Sequence, residues 1–155
     1  MSLAPATLER DGIAARVPHH GSMCLLERLE HWSATEILCS ATSHTHADNP
    51  LRTPSGLLSV TAIEYAAQAM ALHGALIAPP GTAARPGYLA SVRNVRLTVP
   101  RLDQIVGSLQ VRAERLAGDA RQILYGFAVS DEHGALLVDG RAVVVLDTPL
   151  SMEQP

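Results

Sequence analysis

Residues 56–77, GLLSVTAIEYAAQAMALHGALI, constrain the fold more than any other stretch. A helix here has Leu57, Leu58, Val60, Ala62, Ile63, Ala66, Ala67, Ala69, Met70, Ala71, Leu72, Ala75 and Leu76, so almost no polar face remains. Such a helix has to be buried on most sides. Glu64 and Gln68 nevertheless lie inside it, four apart on one side of the cylinder, with Thr61 three residues earlier. A carboxylate on a buried helix is costly unless it has a partner or carries a proton. The stretch approaches the length of a membrane span. Its Glu64, Gln68 and His73, its alanine content and the Pro79-Pro80 stop argue against one.

The rest of the chain reads as strands that could cover this helix. Strands are predicted over 24–33 and 36–43, turning at Ala34-Thr35, with Ile37, Cys39 and Ala41 on one face. A polar, proline-bearing loop, HTHADNPLRTPS over 44–55, leads into the helix, and PPGTAARP over 79–86 follows it. Further strands are predicted over 88–99, 104–116, 121–130 and 136–146, with turns at Gly118-Asp119 and 131–134. In the third of them Ile123, Tyr125, Phe127 and Val129 alternate. Residues 1–12 read as a poorly ordered lead-in. The order β-β-α-β-β-β-β implies an α+β fold, one long helix wrapped by a curved, mostly antiparallel sheet. With so few polar positions, the helix also calls for a second subunit to cover what one sheet cannot.

At 155 residues the chain is expected to be a single domain over 1–155, with its core at about 16–147. A net charge of -3 and the lack of a basic run argue against nucleic acid or an acidic membrane. Cys24 and Cys39 fall out of register in the predicted hairpin, which fits a reduced, cytoplasmic setting. No signal pattern opens the chain.

Several stretches are similar to a known family. Val17-Pro18-His19-His20 followed by Met23-Cys24-Leu25-Leu26-Glu27-Arg28 resembles the PHR…FLLVDR segment of the FabZ-like 3-hydroxyacyl-acyl-carrier-protein dehydratases. Ala62-Ile63-Glu64-Tyr65-Ala66-Ala67-Gln68 resembles their helix motif, in which a glutamate is followed by an Ala-Gln pair. SHTHADNPLR resembles the subgroup encoded with aryl polyene or xanthomonadin pigment synthesis. The similarity runs over about 19–146 and implies a hotdog fold. One departure is plain: the Gly-His-Phe-Pro loop of those enzymes is absent. His46 and His44 stand 18 and 20 residues before Glu64, a longer spacing than in the family.

The resemblance implies dehydration of a 3-hydroxyacyl thioester, on an acyl carrier protein or coenzyme A, in fatty acid or aryl polyene-type synthesis. His44, with His46 as second choice, is the expected base. Glu64, its charged form disfavoured by apolar neighbours, is the expected acid. Backbone N–H groups of Gly56 and Leu57 at the helix start would receive the thioester carbonyl. Gln68 would orient Glu64 or bond a partner helix, and His19 is a further substrate-binding candidate. No metal or redox cofactor is needed. The partner is a second hotdog chain, in a homodimer or heterodimer.

Other readings stay open from the residues alone. Glu64 could pair with Arg93 or Arg28, and both loop histidines could be ordinary loop residues. His44, His46 and Asp48 have a metal-site look but lack further ligands at suitable spacing. His31 reads as a strand-surface residue and His73 as a helix-end one. Arg52 reads as a solvated charge or a phosphopantetheine contact. The chain could also be a non-catalytic hotdog partner subunit, or a hotdog thioesterase.

Overall fold

The computed structural model describes residues 4–19, 21–79 and 87–146. The apolar stretch forms α2 (Ala62–Ile77). Around it run β1 (Leu8–Glu9), α1 (Arg10–Ala14), β2 (Arg28–Trp32), β3 (Glu36–Ala41), β4 (Gly87–Leu97), β5 (Leu109–Gly118), β6 (Gln122–Ser130) and β7 (Leu136–Leu146). All seven strands join one antiparallel sheet in the order β1-β2-β3-β5-β6-β7-β4. Period-two alternation places Ile37, Cys39 and Ala41 of β3, Leu109, Val111 and Ala113 of β5, and Ile123, Tyr125, Phe127 and Val129 of β6 on the buried face. They meet α2, which packs chiefly on these three strands through residues such as Tyr65, Ala69 and Leu72. This is the α+β layering expected from the sequence.

Four boundaries differ from the sequence reading, each for a local reason. The α-helix starts at Ala62, not at residue 56. Gly56 has a φ of 98°, and Leu57 is drawn into extended pairing, its carbonyl accepting from the Leu102 N–H at 2.7 Å. A 3-10 turn at Ser59–Thr61 then leads in. The first hairpin strand starts at Arg28, because the Leu25 N–H donates to the buried Gln68 side chain at 2.9 Å instead of to a strand. β5 starts at Leu109, after a loop carrying Gly107 at a φ of 81°. Residues 8–14 are not a loose lead-in. Leu8 pairs with Leu29, Ile13 is fully buried, and Arg10 ties α1 to the Gly21 and Cys24 carbonyls at 2.8 and 2.9 Å.

The turns at Asp119 and Asp131 form as expected, each aspartate accepting from two backbone N–H groups ahead of it. Ala78 turns extended, at φ -60° and ψ 140°, ahead of Pro79 and ends α2. The PPGTAARP segment lies outside the described residues after Pro79. Both cysteines are buried and free. No described helix is long and apolar enough to cross a membrane.

Burial is uneven across the sheet. Leu89, Val92 and Leu97 on the core side of β4 are 38, 37 and 49% exposed, and Tyr88 on its other face is 60% exposed. β4 is the last strand of the sheet, beyond β7 and past the strands that α2 covers. On α2 the half-exposed positions Ile63, Glu64, Ala67, Ala71, Gly74 and Ala75 form one stripe.

Candidate active site

His44 sits in a 3-10 turn, Ser43–Thr45, immediately after β3, and is 1% exposed. Its Nε2–H donates to the Ile105 carbonyl at 3.1 Å. A carbonyl only accepts, so Nε2 carries the proton and Nδ1 keeps the lone pair. That Nδ1 is buried and has no hydrogen-bond partner among the described residues. Burial lowers the ring pKa below the ordinary 6.5, against the opposing pull of the Ile105 and Gly107 backbone and Asp103. The imidazole is therefore held neutral, in one tautomer, with its basic nitrogen bare.

His46 faces elsewhere. It is exposed and lines a hollow of about 300 Å³ with Arg10, Ser22, Ser43, Asp48 and Asn49. Among the described residues no group of three or more His, Cys, Asp or Glu side chains could hold a metal ion. His19 is half-buried, and its Nδ1 also lacks a partner among the described residues.

Glu64 lies in the first turn of α2. It is half-exposed rather than buried, because it stands on the stripe turned away from β3, β5 and β6. It makes no hydrogen bond or ion pair among the described residues, neither with His44 nor with an arginine. Arg28 is engaged by Glu9 and Glu30 instead. Gln68, one turn on, does not hold Glu64. Its Oε1 accepts from Leu25 N–H at 2.9 Å and its Nε2 donates to the Met23 carbonyl at 2.7 Å, so this fully buried amide fastens the 23–25 segment to the helix.

The expected carbonyl-binding N–H groups are already committed. Gly56 N–H donates to the Thr53 carbonyl at 2.9 Å, and Leu57 N–H donates to Asp103 Oδ1 at 2.9 Å. Arg101 donates to both oxygens of Asp103, through Nε at 2.9 Å and through Nη2, and holds that carboxyl well below the usual carboxylate range. The φ of 98° at position 56 favours glycine, and a side chain there would also meet the Arg101 guanidinium that Asp103 holds. Arg52 is exposed, and its Nη2 stands 3.7 Å from Asp103, without a hydrogen bond.

Residues 12–152 match the model of the ApeP-like family, described as ApeP dehydratase. The chain belongs to the ApeP dehydratase family. It is thus a dehydratase-like hydro-lyase with a hotdog fold. The dehydratase heterocomplex ApeI:P from Xenorhabdus doucetiae is similar to it at 26% identity and a TM-score of 0.74, over 92% of this chain and 93% of that one. Two thioesterases share the fold at lower identity. A mutant of thioesterase PA1618 from Pseudomonas aeruginosa has 16% identity and a TM-score of 0.64, covering 94% of this chain and 98% of its own. HI1161 from Haemophilus influenzae has 15% identity and a TM-score of 0.60, covering 83 and 82%. No curated protein matches the chain.

In this ApeP-like chain, sequence reasoning misses the group that ties the histidine loop to the helix. Tyr65, beside Glu64, is fully buried, and its hydroxyl lies 2.8 Å from Ser43 Oγ and 3.1 Å from Asn49 Nδ2. Asn49 Nδ2 also donates to the Ser43 carbonyl at 3.0 Å, while its Oδ1 accepts from Leu51 N–H at 2.9 Å. Ser43 Oγ is 2.7 Å from the Leu25 carbonyl. One tyrosine hydroxyl thus fixes the residue before His44 and Asn49 in the middle of its loop. The available signal is a tyrosine inside an otherwise apolar helix, since a buried phenol seeks a partner.

Proposed function

We propose that the chain removes water from a 3-hydroxyacyl thioester on an acyl carrier protein, giving the trans-2-enoyl thioester, in aryl polyene-type or fatty acid synthesis. His44 takes the proton from C2 through Nδ1. The C–H electron pair becomes the C2=C3 double bond, the C3–O bond breaks, and Glu64 gives its proton to the departing hydroxyl, which leaves as water. The ring is then protonated and the carboxylate ionised, and a proton passed from the first to the second resets the pair. The bare, buried Nδ1 of His44, its tautomer fixed by the Ile105 carbonyl, carries this reading. A buried polar atom without a partner calls for an explanation, and a substrate proton is one.

Glu64 lies on the half-exposed stripe of α2, and β4 leaves its outer edge bare. A second hotdog chain seated across both would enclose Glu64 and complete the site, and the likeness to the dehydratase heterocomplex ApeI:P supports a paired assembly. Free, buried cysteines fit a reducing cytoplasm. The test is to incubate the protein, alone and with such a partner, with a 3-hydroxyacyl carrier protein and follow loss of water by mass spectrometry. Turnover that disappears in His44→Ala and Glu64→Gln supports the assignment. Turnover by the pair that survives His44→Ala together with His46→Ala favours a second reading, a non-catalytic subunit completing an active partner. That reading draws on the lack of any hydrogen bond or ion pair between His44 and Glu64 among the described residues. Release of free thiol in place of water would make the chain a thioesterase.

A further inference from the structure

β4 ends the sheet with its outer hydrogen-bonding edge unpaired among the described residues. Exposed strand edges pair with other chains unless something prevents it. Leu89, Val92 and Leu97 stand opposite Val144, Ala142 and Val138 on the core side of the sheet and are still more than one third exposed. The edge is therefore apolar toward the helix side and open to a neighbour.

The other face of the same strand carries an unusual charge pattern. Arg93 is directly opposite Arg141 of β7, and both are exposed. Like charges at such positions oppose pairing. Neither guanidinium has an ion pair or hydrogen bond among the described residues. The nearby carboxylates are occupied or distant. Asp139 accepts from Arg96 at 3.0 and 2.7 Å, and Asp119 accepts from the Arg121 and Gln122 N–H groups. Glu114 lies in the same row as Arg141 but beyond Gly126, two strand spacings or about 10 Å away. The two arginines border an open hollow of about 820 Å³ floored by Leu124, Val143 and Val145. Side chains from across the edge can reach them.

We infer that this arginine pair selects the chain that docks on β4: a different hotdog chain with carboxylates on the matching face of its edge strand, rather than a second copy. The inference rests on the proposed seating of a second hotdog chain and specifies its chemistry. An isologous pairing of two copies about the middle of β4 puts the two Arg93 side chains on diagonal positions about 7–8 Å apart. Each is flanked by its own Arg141, so the pairing holds two neighbouring cross-strand rows, each with two guanidiniums and no carboxylate. A partner with Asp or Glu there turns the same rows into alternating charges. Apolar contact on the helix side then supplies the attraction, and the arginines supply the discrimination.

The charge pattern can be tested without knowing the partner's identity. Two differently tagged forms of the full-length protein are mixed: the wild type and an Arg93→Glu/Arg141→Glu form. Sedimentation and native mass spectrometry then read the species. At low salt, mixed dimers are expected to exceed the statistical share and to bind about tenfold more tightly than wild-type dimers. Raising the salt should strengthen wild-type self-association and erase the preference. Arg93→Glu alone should tighten self-association, since it also gives Arg141 a cross-strand partner and so does not threaten folding. A wild-type dimer whose affinity ignores both salt and Arg93→Glu, or a statistical mixture, overturns the selection by charge while leaving the seating of a second chain intact. Monomers in every mixture and at every salt concentration remove that seating, and this inference with it.

Discussion

Among the described residues two histidines are buried, and their surroundings differ in one respect. His73, near the end of α2, has both ring nitrogens satisfied: Nδ1 lies 2.8 Å from the Tyr125 hydroxyl and Nε2 lies 2.9 Å from the Ser33 carbonyl. The Tyr125 ring also meets it edge-on, with centroids 5.7 Å apart. His44 has the second bond but not the first, and its Nδ1 is bare. Burial lowers the pKa of both rings. Desolvation therefore does not separate these two rings; the unspent lone pair on His44 does, and it is what makes His44 the candidate base.

The largest expected effect breaks that comparison by function. His44→Ala should cut dehydration about 10²–10⁴-fold, the usual cost of losing a general base, while the urea midpoint moves little. His73→Phe should do the reverse. It leaves the Tyr125 hydroxyl and the Ser33 carbonyl unpaired in the core, for a loss of about 2–3 kcal/mol in urea unfolding with kcat nearly kept. Equal losses of activity in the two variants would dissolve the distinction. Tyr65→Phe should fall between them. It removes the hydroxyl that fixes Ser43 and Asn49 around His44, and a drop of about tenfold in kcat is expected with stability down by about 1 kcal/mol.

Acid titration sharpens the same contrast. Both folded pKa values lie below 6.5, so the unfolded chain binds more protons in the window beneath that value. The stability contributed by the neutral rings is full above about pH 6.5 and declines as pH falls toward the folded pKa values. Dehydration should likewise fall on an acid limb centred below 6.5. His73→Phe should flatten the acid loss of stability but leave the activity limb in place. Unfolding curves and kcat/KM measured across pH 5 to 7 would show whether the two limbs separate, at about the range where histidine titrates.

The contrast also shows what the sequence could carry. The layering was legible, because the apolar run of α2 and the alternation in β3, β5 and β6 each state a period. The similarity of their motifs also singled out His44 and Glu64 as candidates. Where the bonds go was not legible. Gln68 reads as Glu64's neighbour by helical spacing, yet its amide is spent on Met23 and Leu25, which are distant in sequence. Gly56 and Leu57 read as free helix-start donors, yet Asp103 and Thr53 take them. Nor does alternation in β4 reveal that its apolar side is bare, since a strand's period says which residues share a face and not what covers it.

The smallest expected effect concerns the neighbour two residues on. His46 belongs to the same loop as His44, so proximity in sequence gives it the same chemical promise. It is exposed, it has no hydrogen bond or ion pair from its ring among the described residues, and it faces the hollow beside Arg10 and Asp48. An exposed ring without a partner is held in no one tautomer and is not positioned against a substrate. His46→Ala should therefore leave kcat/KM within about twofold and the urea midpoint unchanged, as expected of an exposed side chain without partners. A loss there as large as in His44→Ala would move the base to the loop surface. The bare Nδ1 of His44 would then need another explanation.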